Sequence, residues 1–503
     1  MRRLFTTTAA GSTSEANTQI PHQTATESSP VPRTSPGSSS AGHTQGRPTS
    51  RRDDPNHPLA PRGVQTDGRW EHLPHIQFYS MPHEGAELEY EEVVSPPLLS
   101  LLRSLEYTSY SIALAYAGYS RNQTVPVVIV IAGEFKVEHA KEVMSVFDST
   151  ERHYITEVFC YQGDTKGYVE GEDLQVPQQR VNCGYSIGPS TSVRGANPNA
   201  SSSLGFYIRL EGDDHMYATT VHHALGKNVS PVPLDSSPQI KIQQPSSRDF
   251  ARQIADLEKE IEEAKAKKSD LLVPVKVLKA NLANMRKFNA NFASVVASAF
   301  GMVDVNGHNV SEDWLVMRVN HDRVGVNYVR ASVAGGIPGV RDVVWTPRDS
   351  CGVFVKGVDD VRKGMYVRKA GRGTGDTVGR IQFAHAHAKL EENPAETREW
   401  TIVTSVFSDA RIFAENSDSG AAVVNRMGDL VGVVLGGVSG KPIELKGHEN
   451  LGKIYVTYVT PAPFVLQQIE KVFGREVSVE HVDLETIPGI IKGIEINDDD
   501  DSD

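Results

Sequence analysis

The sequence predicts a mainly β protein that carries a helical insertion and is preceded by a small α/β module. Short β-type runs separated by glycine turns occupy most of the chain between residues 183 and 473, a rhythm typical of an antiparallel barrel or sandwich. Between residues 70 and 175, a strand, a helix and a second strand are indicated in that order, which is the pattern of a strand–helix–strand unit.

The α/β module is predicted from four segments. A proline-started helix begins at Ser95, and the apolar run Val125–Ile131 reads as a buried strand. Helical spacing over Glu138–Phe147 and a β-type run over Tyr154–Tyr161 complete the unit. Because no phosphate-binding fingerprint lies inside it, an accessory role is the simpler interpretation.

The helical insertion is indicated by apolar residues that step by three and four. Phe250, Ile254 and Leu257 begin the series, Pro274 interrupts it, and helical spacing then resumes as far as Phe292. A helical hairpin or a short coiled coil is therefore expected. A last helix is predicted over Ala462–Phe473.

Composition limits the function classes. The chain has 503 residues and a formal net charge of -12, so it lacks the basic surplus that a nucleic-acid binder needs. No apolar run of about 18 residues indicates a membrane span. Three cysteines are too few for a disulfide framework, and no signal-peptide core follows Met1. We therefore expect an intracellular protein, cytoplasmic in the simplest case, with a mitochondrial address as the alternative.

These observations predict four regions along the chain. They are a disordered Ser/Thr/Pro-rich tail at 1–69, a small α/β accessory module at 70–178, a β domain at 179–476 with its helical insertion at about 247–295, and an acidic tail at 477–503.

Three short segments carry groups that could cooperate in nucleophilic catalysis. A β run ends in His222 and His223, Asp313 opens an apolar strand, and Ser419 lies in the segment Ser-Asp-Ser-Gly. A serine hydroxyl attacks carbonyl groups poorly until an imidazole accepts its proton, and the imidazole needs a carboxylate to hold its tautomer. The order histidine, aspartate, serine along the chain permits such a triad.

Residues 183–473 resemble the trypsin-like (chymotrypsin-fold) serine peptidase domain, particularly its intracellular fungal type. The resemblance rests on the Ser-Asp-Ser-Gly segment, on Thr-Val-His-His-Ala around His223, and on the glycine-rich turn that begins at Lys369. It implies a two-barrel fold with His223 as general base, Asp313 as its orienting carboxylate and Ser419 as nucleophile. His222 is the competing candidate for the base.

The resemblance also implies an oxyanion hole and a specificity pocket. The N–H groups of Ser417 and Ser419 would form the hole, although the family usually has glycine at the first position. The pocket would be lined by Phe413, Leu435 and Gly437, where Leu435 replaces a buried serine. Phe413 at its base cannot pair with a lysine or arginine side chain, so cleavage after basic residues is not expected.

The sequence thus favours a serine endopeptidase that acts through an acyl-enzyme intermediate. Its partners would be a protein or peptide substrate and, through the helical hairpin or the α/β module, a further protein. No cofactor, metal, nucleic acid or membrane is expected. The alternatives are a weak or inactive pseudopeptidase that acts as an interaction scaffold, and a peptidase that cleaves only its own chain.

Overall fold

The coordinates are a computed structural model. It describes residues 64–66, 69–71, 77–79, 82–120, 123–164, 177–190, 197, 199–226, 229–234, 240–266, 272–330, 352–389, 395–405, 412–415, 417–443 and 451–480. The predicted disordered tail lies outside the described residues except for 64–66 and 69, which belong to two short paired strands. The predicted acidic tail lies outside them from residue 481 onward.

Six α-helices are present in the described part of the chain: α1 Glu84–Glu89, α2 Ser95–Ser104, α3 Val137–Ser149, α4 Ser247–Ala266, α5 Leu272–Lys287 and α6 Ala462–Phe473. A π-helical turn, Tyr90–Val94, joins the first two, and short 3-10 helices occur at His222–Leu225 and His321–Arg323.

Strands dominate the rest: β1 Val64–Thr66, β2 Arg69–Glu71, β3 Gln77–Tyr79, β4 Tyr110–Ser120, β5 Gln123–Gly133, β6 Glu157–Asp164, β7 Ser186–Pro189, β8 Ser202–Ser203, β9 Tyr207–Leu210, β10 Tyr217–Thr220, β11 Lys241–Gln243, β12 Asn291–Val305, β13 His308–Val319, β14 Tyr328–Arg330, β15 Gly352–Phe354, β16 Gly357–Val358, β17 Tyr366–Gly371, β18 Gly375–Arg380, β19 Ala386–Lys389, β20 Glu396–Ser405, β21 Ala422–Asn425, β22 Asp429–Pro442, β23 Ile454–Pro461 and β24 Val477–Val479. The mainly β class predicted from the sequence is confirmed.

The first large sheet is antiparallel and has eight strands in the order β24-β9-β10-β13-β12-β11-β7-β8. Its inner face forms one apolar core around Trp314, Phe206 and Phe292. Strand β10 pairs with β13 so that Thr220 lies opposite Leu315. This register brings the end of β10, which leads into His222 and His223, beside the start of the apolar part of β13.

The second large sheet contains a closed ring of seven strands. Their order is β22-β23-β20-β19-β4-β5-β6, and β6 pairs with β22 to complete the ring. Strand β22 is long enough to serve two neighbours, because its first part pairs with β21 and its last part with β6. Strands β17 and β18 extend the sheet beyond β21.

The strands predicted as an accessory α/β module belong to this ring. Strand β5 runs parallel to β6, as the strand–helix–strand pattern predicts, but β4 pairs with β19 and β6 pairs with β22. Residues 127–132 are buried and contribute to two apolar clusters. The predicted boundary at 178/179 is therefore not a boundary of the sheet, since strands from both sides of it pair in the ring.

The predicted helical hairpin is present as α4 and α5, but it ends earlier than predicted. Strand β12 begins at Asn291, inside the predicted range of 247–295. Most of α4 is exposed, whereas Asp249 and Ile261 are buried. A buried carboxylate in the first turn is unusual for a solvated helix, and its partner is described below.

The C-terminal boundary also differs from the prediction. Residues Val477–Val479, assigned to the acidic tail, form β24 and pair with β9. Val477 and Val479 are buried in the apolar core of the first sheet, whereas Ser478 between them is exposed. This alternation is typical of a strand with one buried face and explains the pairing. No helix among the described residues is long and apolar enough to cross a membrane.

Candidate active site

His223 and Asp313 form a hydrogen-bonded pair between the 3-10 helix after β10 and strand β13. His223 Nδ1 lies 2.6 Å from Asp313 Oδ2. The carboxylate is nearly buried, with 4% of its side chain exposed, whereas the imidazole is 35% exposed. Because an ionised carboxylate only accepts, Nδ1 carries the proton and Nε2 is left as the acceptor.

Backbone N–H groups hold the carboxylate in place. Asp313 Oδ1 accepts hydrogen bonds from the N–H of His222 at 2.6 Å and of His223 at 3.2 Å. These bonds orient the carboxylate. The arrangement therefore fixes both the position of Asp313 and the tautomer of His223.

His222, the alternative candidate for the base, is buried and has a hydrogen-bond partner at each ring nitrogen. Its ring nitrogens lie 2.9 Å from Ser298 Oγ and 2.9 Å from the carbonyl oxygen of Val229. Burial lowers the pKa of His222, which keeps the imidazole neutral. Both ring nitrogens are thus engaged, as in an ordinary buried histidine.

The Ser417–Gly420 segment, called the serine loop below, packs against the end of β10. The N–H of Ser203 donates to the carbonyl oxygen of Ser419 at 3.0 Å, and Thr220 Oγ1 donates to the carbonyl oxygen of Ser203 at 2.9 Å. Gly420 has φ +89°, and a Cβ there would lie 2.2 Å from Thr220 Oγ1. Only glycine fits, so the loop approaches closely the strand that leads into His223.

The backbone of the serine loop presents two N–H donors. Ser417 adopts φ +81°, in the region that favours glycine, although it carries a side chain. Within the described part of the chain, the N–H groups of Ser417 and Ser419 have no hydrogen-bond acceptor. Two N–H donors on either side of Asp418, one of them belonging to the serine itself, suit the stabilisation of an oxyanion.

Asp418 points away from the surface and is neutralised by Lys369. Lys369 Nζ lies 2.9 Å from Asp418 Oδ2, and both side chains are fully buried. The N–H groups of Gly373 and Thr374 donate to Asp418 Oδ1 at 2.7 Å and 3.2 Å. A Cβ at Gly371 would lie 2.3 Å from the same oxygen, so this glycine allows the approach. Lys369 is therefore the ion-pair partner of Asp418.

A narrow cavity lies beside the serine loop. Its volume is about 10 Å³, and its lining comprises Ala414, Glu415, Gly436, Gly437, Val438, Ser439, Tyr455 and Val456. A Cβ at Gly436 would lie 4.0 Å from Ser419 Oγ, which places this wall next to the hydroxyl. A volume of this size holds about one water molecule.

Two of the three residues predicted for the specificity pocket do not line this cavity. Gly437 is in the lining. Phe413 is fully buried in a cluster with Val367 and Ile402, and Leu435 packs inside the ring, against Phe159 among others. Leu435 is the residue at which the pairing of β22 with β23 shifts register, so counting along the strand does not predict its direction.

Sequence reasoning missed four residues around the serine loop. They are Lys369 and Arg372 of the glycine-rich turn, Asp249 of the insertion and Glu415 of the cavity. Two basic residues among the glycines of an otherwise buried turn were the available signal, because a buried cation requires a partner.

The chain is similar to known proteins in its fold and not measurably in its sequence family. No family model matches the chain, and no curated protein matches it. Among solved structures, Thermobifida fusca protease A shares 15% identity over 56% of this chain and 94% of its own, with a TM-score of 0.29. Cellulomonas bogoriensis chymotrypsin shares 14% identity over 60% of this chain and 100% of its own, with a TM-score of 0.29. A glutamic acid specific serine protease shares 11% identity over 60% of this chain and 100% of its own, with a TM-score of 0.31.

Proposed function

We propose that the protein is a serine endopeptidase in which Ser419 is the nucleophile, His223 the general base and Asp313 its orienting carboxylate. The observation that carries the proposal is the contact between His223 Nδ1 and Asp313 Oδ2. The contact favours the tautomer in which Nδ1 carries the proton and Nε2 can accept one. The packing of the serine loop against the end of β10 supports the assignment of Ser419 as the nucleophile.

The reaction follows from these roles. Ser419 Oγ attacks the carbonyl carbon of a peptide bond and gives its proton to His223 Nε2, while the oxyanion accepts from the N–H groups of Ser417 and Ser419. Collapse breaks the C–N bond, and His223 returns the proton to the leaving amine. Water then attacks the acyl-enzyme with His223 again as base, which releases the acid and regenerates Ser419.

Labelling with a fluorophosphonate probe tests the triad. Ser419→Ala should abolish labelling, and His223→Ala should slow it by about 10²–10⁴-fold because the base is lost. Ser478→Ala, at an exposed position of β24, and His215→Ala, at another exposed site, are the matched controls and should label like wild type. A folded wild-type protein that fails to label contradicts the proposal and favours the scaffold alternative.

The narrow cavity supports a preference for small side chains next to the scissile bond. Fully burying a large side chain there would need room that about 10 Å³ does not provide. Among peptides that differ only at this residue, those with alanine should have a higher kcat/KM than those with phenylalanine or arginine.

Tyr455→Ala sharpens this specificity test, since Tyr455 is one of the residues that line the cavity. The variant should gain activity toward the larger apolar residue, by about 10-fold or more if one or two methylene groups are newly accommodated. Val472→Ala, at an exposed position of α6, is a control that should leave the ranking unchanged. Equal rates for all three peptides in wild type would show that the cavity does not select the substrate.

A further inference from the structure

A buried polar chain connects the helical insertion to the serine loop. Asp249, in the first turn of α4, accepts a hydrogen bond from Arg372 Nε at 2.8 Å on Oδ2 and a second from Arg372 Nη2 on Oδ1. Arg372 Nη1 in turn donates to Ser417 Oγ at 2.6 Å. The side chains of Asp249 and Arg372 are 0% and 2% exposed, so this ion pair is shielded from solvent.

Ser417 needs support because of its backbone conformation. At φ +81° a side chain is disfavoured, and strain of this kind persists only where the surroundings enforce it. Its hydroxyl is held by Arg372, and its carbonyl oxygen accepts from Ser203 Oγ at 2.9 Å. The same Ser203 Oγ accepts from the N–H of Arg372 at 2.8 Å. Arg372 thus contacts Ser417 directly through its guanidinium and indirectly through its backbone N–H and the hydroxyl of Ser203.

Hydrogen bonds from neighbouring serines fix the position of the Asp249 carboxylate, which binds Arg372. Ser201 Oγ lies 3.3 Å from Asp249 Oδ2, and Ser186 Oγ donates to the same oxygen. Burial alone would raise the pKa of Asp249, but the hydrogen bonds and charge of Arg372, aided by Ser186, hold this pKa below its usual value. The carboxylate is therefore ionised and fixes the plane of the guanidinium in a fork with two contacts.

We propose that Asp249 and Arg372 are positioning residues for the oxyanion hole, so that the helical insertion helps to set the reactivity of Ser419. This inference rests on the proposed peptidase function. Arg372 holds the serine side chain at a position where the backbone needs a glycine-like conformation, and Asp249 holds Arg372. The N–H of Ser417 then points toward the developing oxyanion instead of turning away.

The test measures the effect of Arg372→Met in two backgrounds, with Ser417 and with Ser417→Gly. With Ser417, the variant should lower kcat by up to about 10²–10³-fold, the usual cost of one lost oxyanion donor, with little change in KM. With Ser417→Gly, the same substitution should have a much smaller effect on kcat, because glycine adopts the conformation without the anchor. The readout is the ratio of kcat values within each background.

A second variant avoids disturbing the buried ion pair. Ser417→Ala leaves Asp249 and Arg372 paired but removes the hydroxyl that Arg372 holds, and it should lower kcat relative to both Ser417 and Ser417→Gly. Urea unfolding of each variant reports stability separately. A merely structural role of Arg372 would lower stability and kcat equally in both backgrounds.

The outcomes separate the two proposals. Wild type that labels with the fluorophosphonate, combined with equal losses in the two backgrounds or full activity of Ser417→Ala, overturns the positioning role alone. A folded wild type that does not label overturns the peptidase function and, with it, this role. Loss of kcat confined to the Ser417 background supports both.

Discussion

Two buried ion pairs connect the glycine-rich turn to two different elements. Lys369 reaches Asp418 inside the second sheet, and Arg372 reaches Asp249 in the helical insertion. The first pair is surrounded by N–H donors of its own turn, whereas the second pair ends on the hydroxyl of Ser417. The comparison shows two kinds of support for the serine loop. One ion pair includes a residue of the loop itself, Asp418, and the other contacts the loop from the helical insertion through Arg372.

The largest effect is expected from Lys369→Met. The substitution leaves the carboxylate of Asp418 buried without its counter-charge, which typically costs about 3–5 kcal/mol. The free energy of unfolding in urea measures this loss, and labelling should fall in parallel. Lys259→Met, at an exposed position of α4, is the control and should stay close to wild type. A loss no larger than that of the control would show that Asp418 is satisfied by its N–H donors alone.

Asp249→Asn should have a smaller effect on stability. The variant leaves the Arg372 guanidinium without its counter-charge, but the asparagine amide oxygen can still accept one hydrogen bond and Ser417 remains a partner. The loss should therefore lie below the about 3–5 kcal/mol expected for a buried charge left unpaired. Urea unfolding again provides the measurement. The matched control is Asp256→Asn on the same helix, whose carboxylate is 61% exposed and should contribute less than about 1 kcal/mol. If both variants lose the same free energy of unfolding, the buried contacts of Asp249 contribute no more to stability than the exposed pair of Asp256.

The smallest effect concerns pH. Because the pKa of Asp249 is lower in the folded state than its usual value near 3.8, its stabilisation is present above that value and is lost as the pH falls through the folded pKa. The stability difference between wild type and Asp249→Asn should therefore be constant from about pH 7 to about pH 5 and shrink below about pH 4. Urea unfolding at these pH values follows the difference. A constant difference down to acid pH would show that the contacts of Asp249 do not depend on its charge.

Much of the fold could be predicted from the sequence because local patterns determine local structure. The predicted helix Ala462–Phe473 has the observed bounds, and the apolar run Val125–Ile131 lies within β5. Which strands pair with which depends on contacts between residues far apart in the chain. The sequence around β4 and β6 therefore could not predict that these strands belong to the seven-strand ring.

The site could be predicted in part for a similar reason. The types and order of His223, Asp313 and Ser419 indicate a chemistry, and the structure places Asp313 against His223. The lining of the cavity could not be predicted, because side chains alternate between the faces of a strand and one shift in pairing reverses them. Leu435 lies at such a shift. The ion pair of Arg372 was equally invisible, since its partner is 123 residues earlier in the chain.

The seam between β6 and β22 has a consequence for synthesis of the protein. The residues that meet there, such as Tyr161 and Pro442, emerge from a ribosome far apart in time, so the early strands must wait for the late ones. At about 5–20 residues per second, the delay is on the order of tens of seconds. During this interval, β4–β6 expose unpaired edges and apolar faces that could pair with other chains. Production of the native protein should consequently be sensitive to chaperones. A chain that begins at residue 179 would lack three of the seven strands of the ring, β4, β5 and β6.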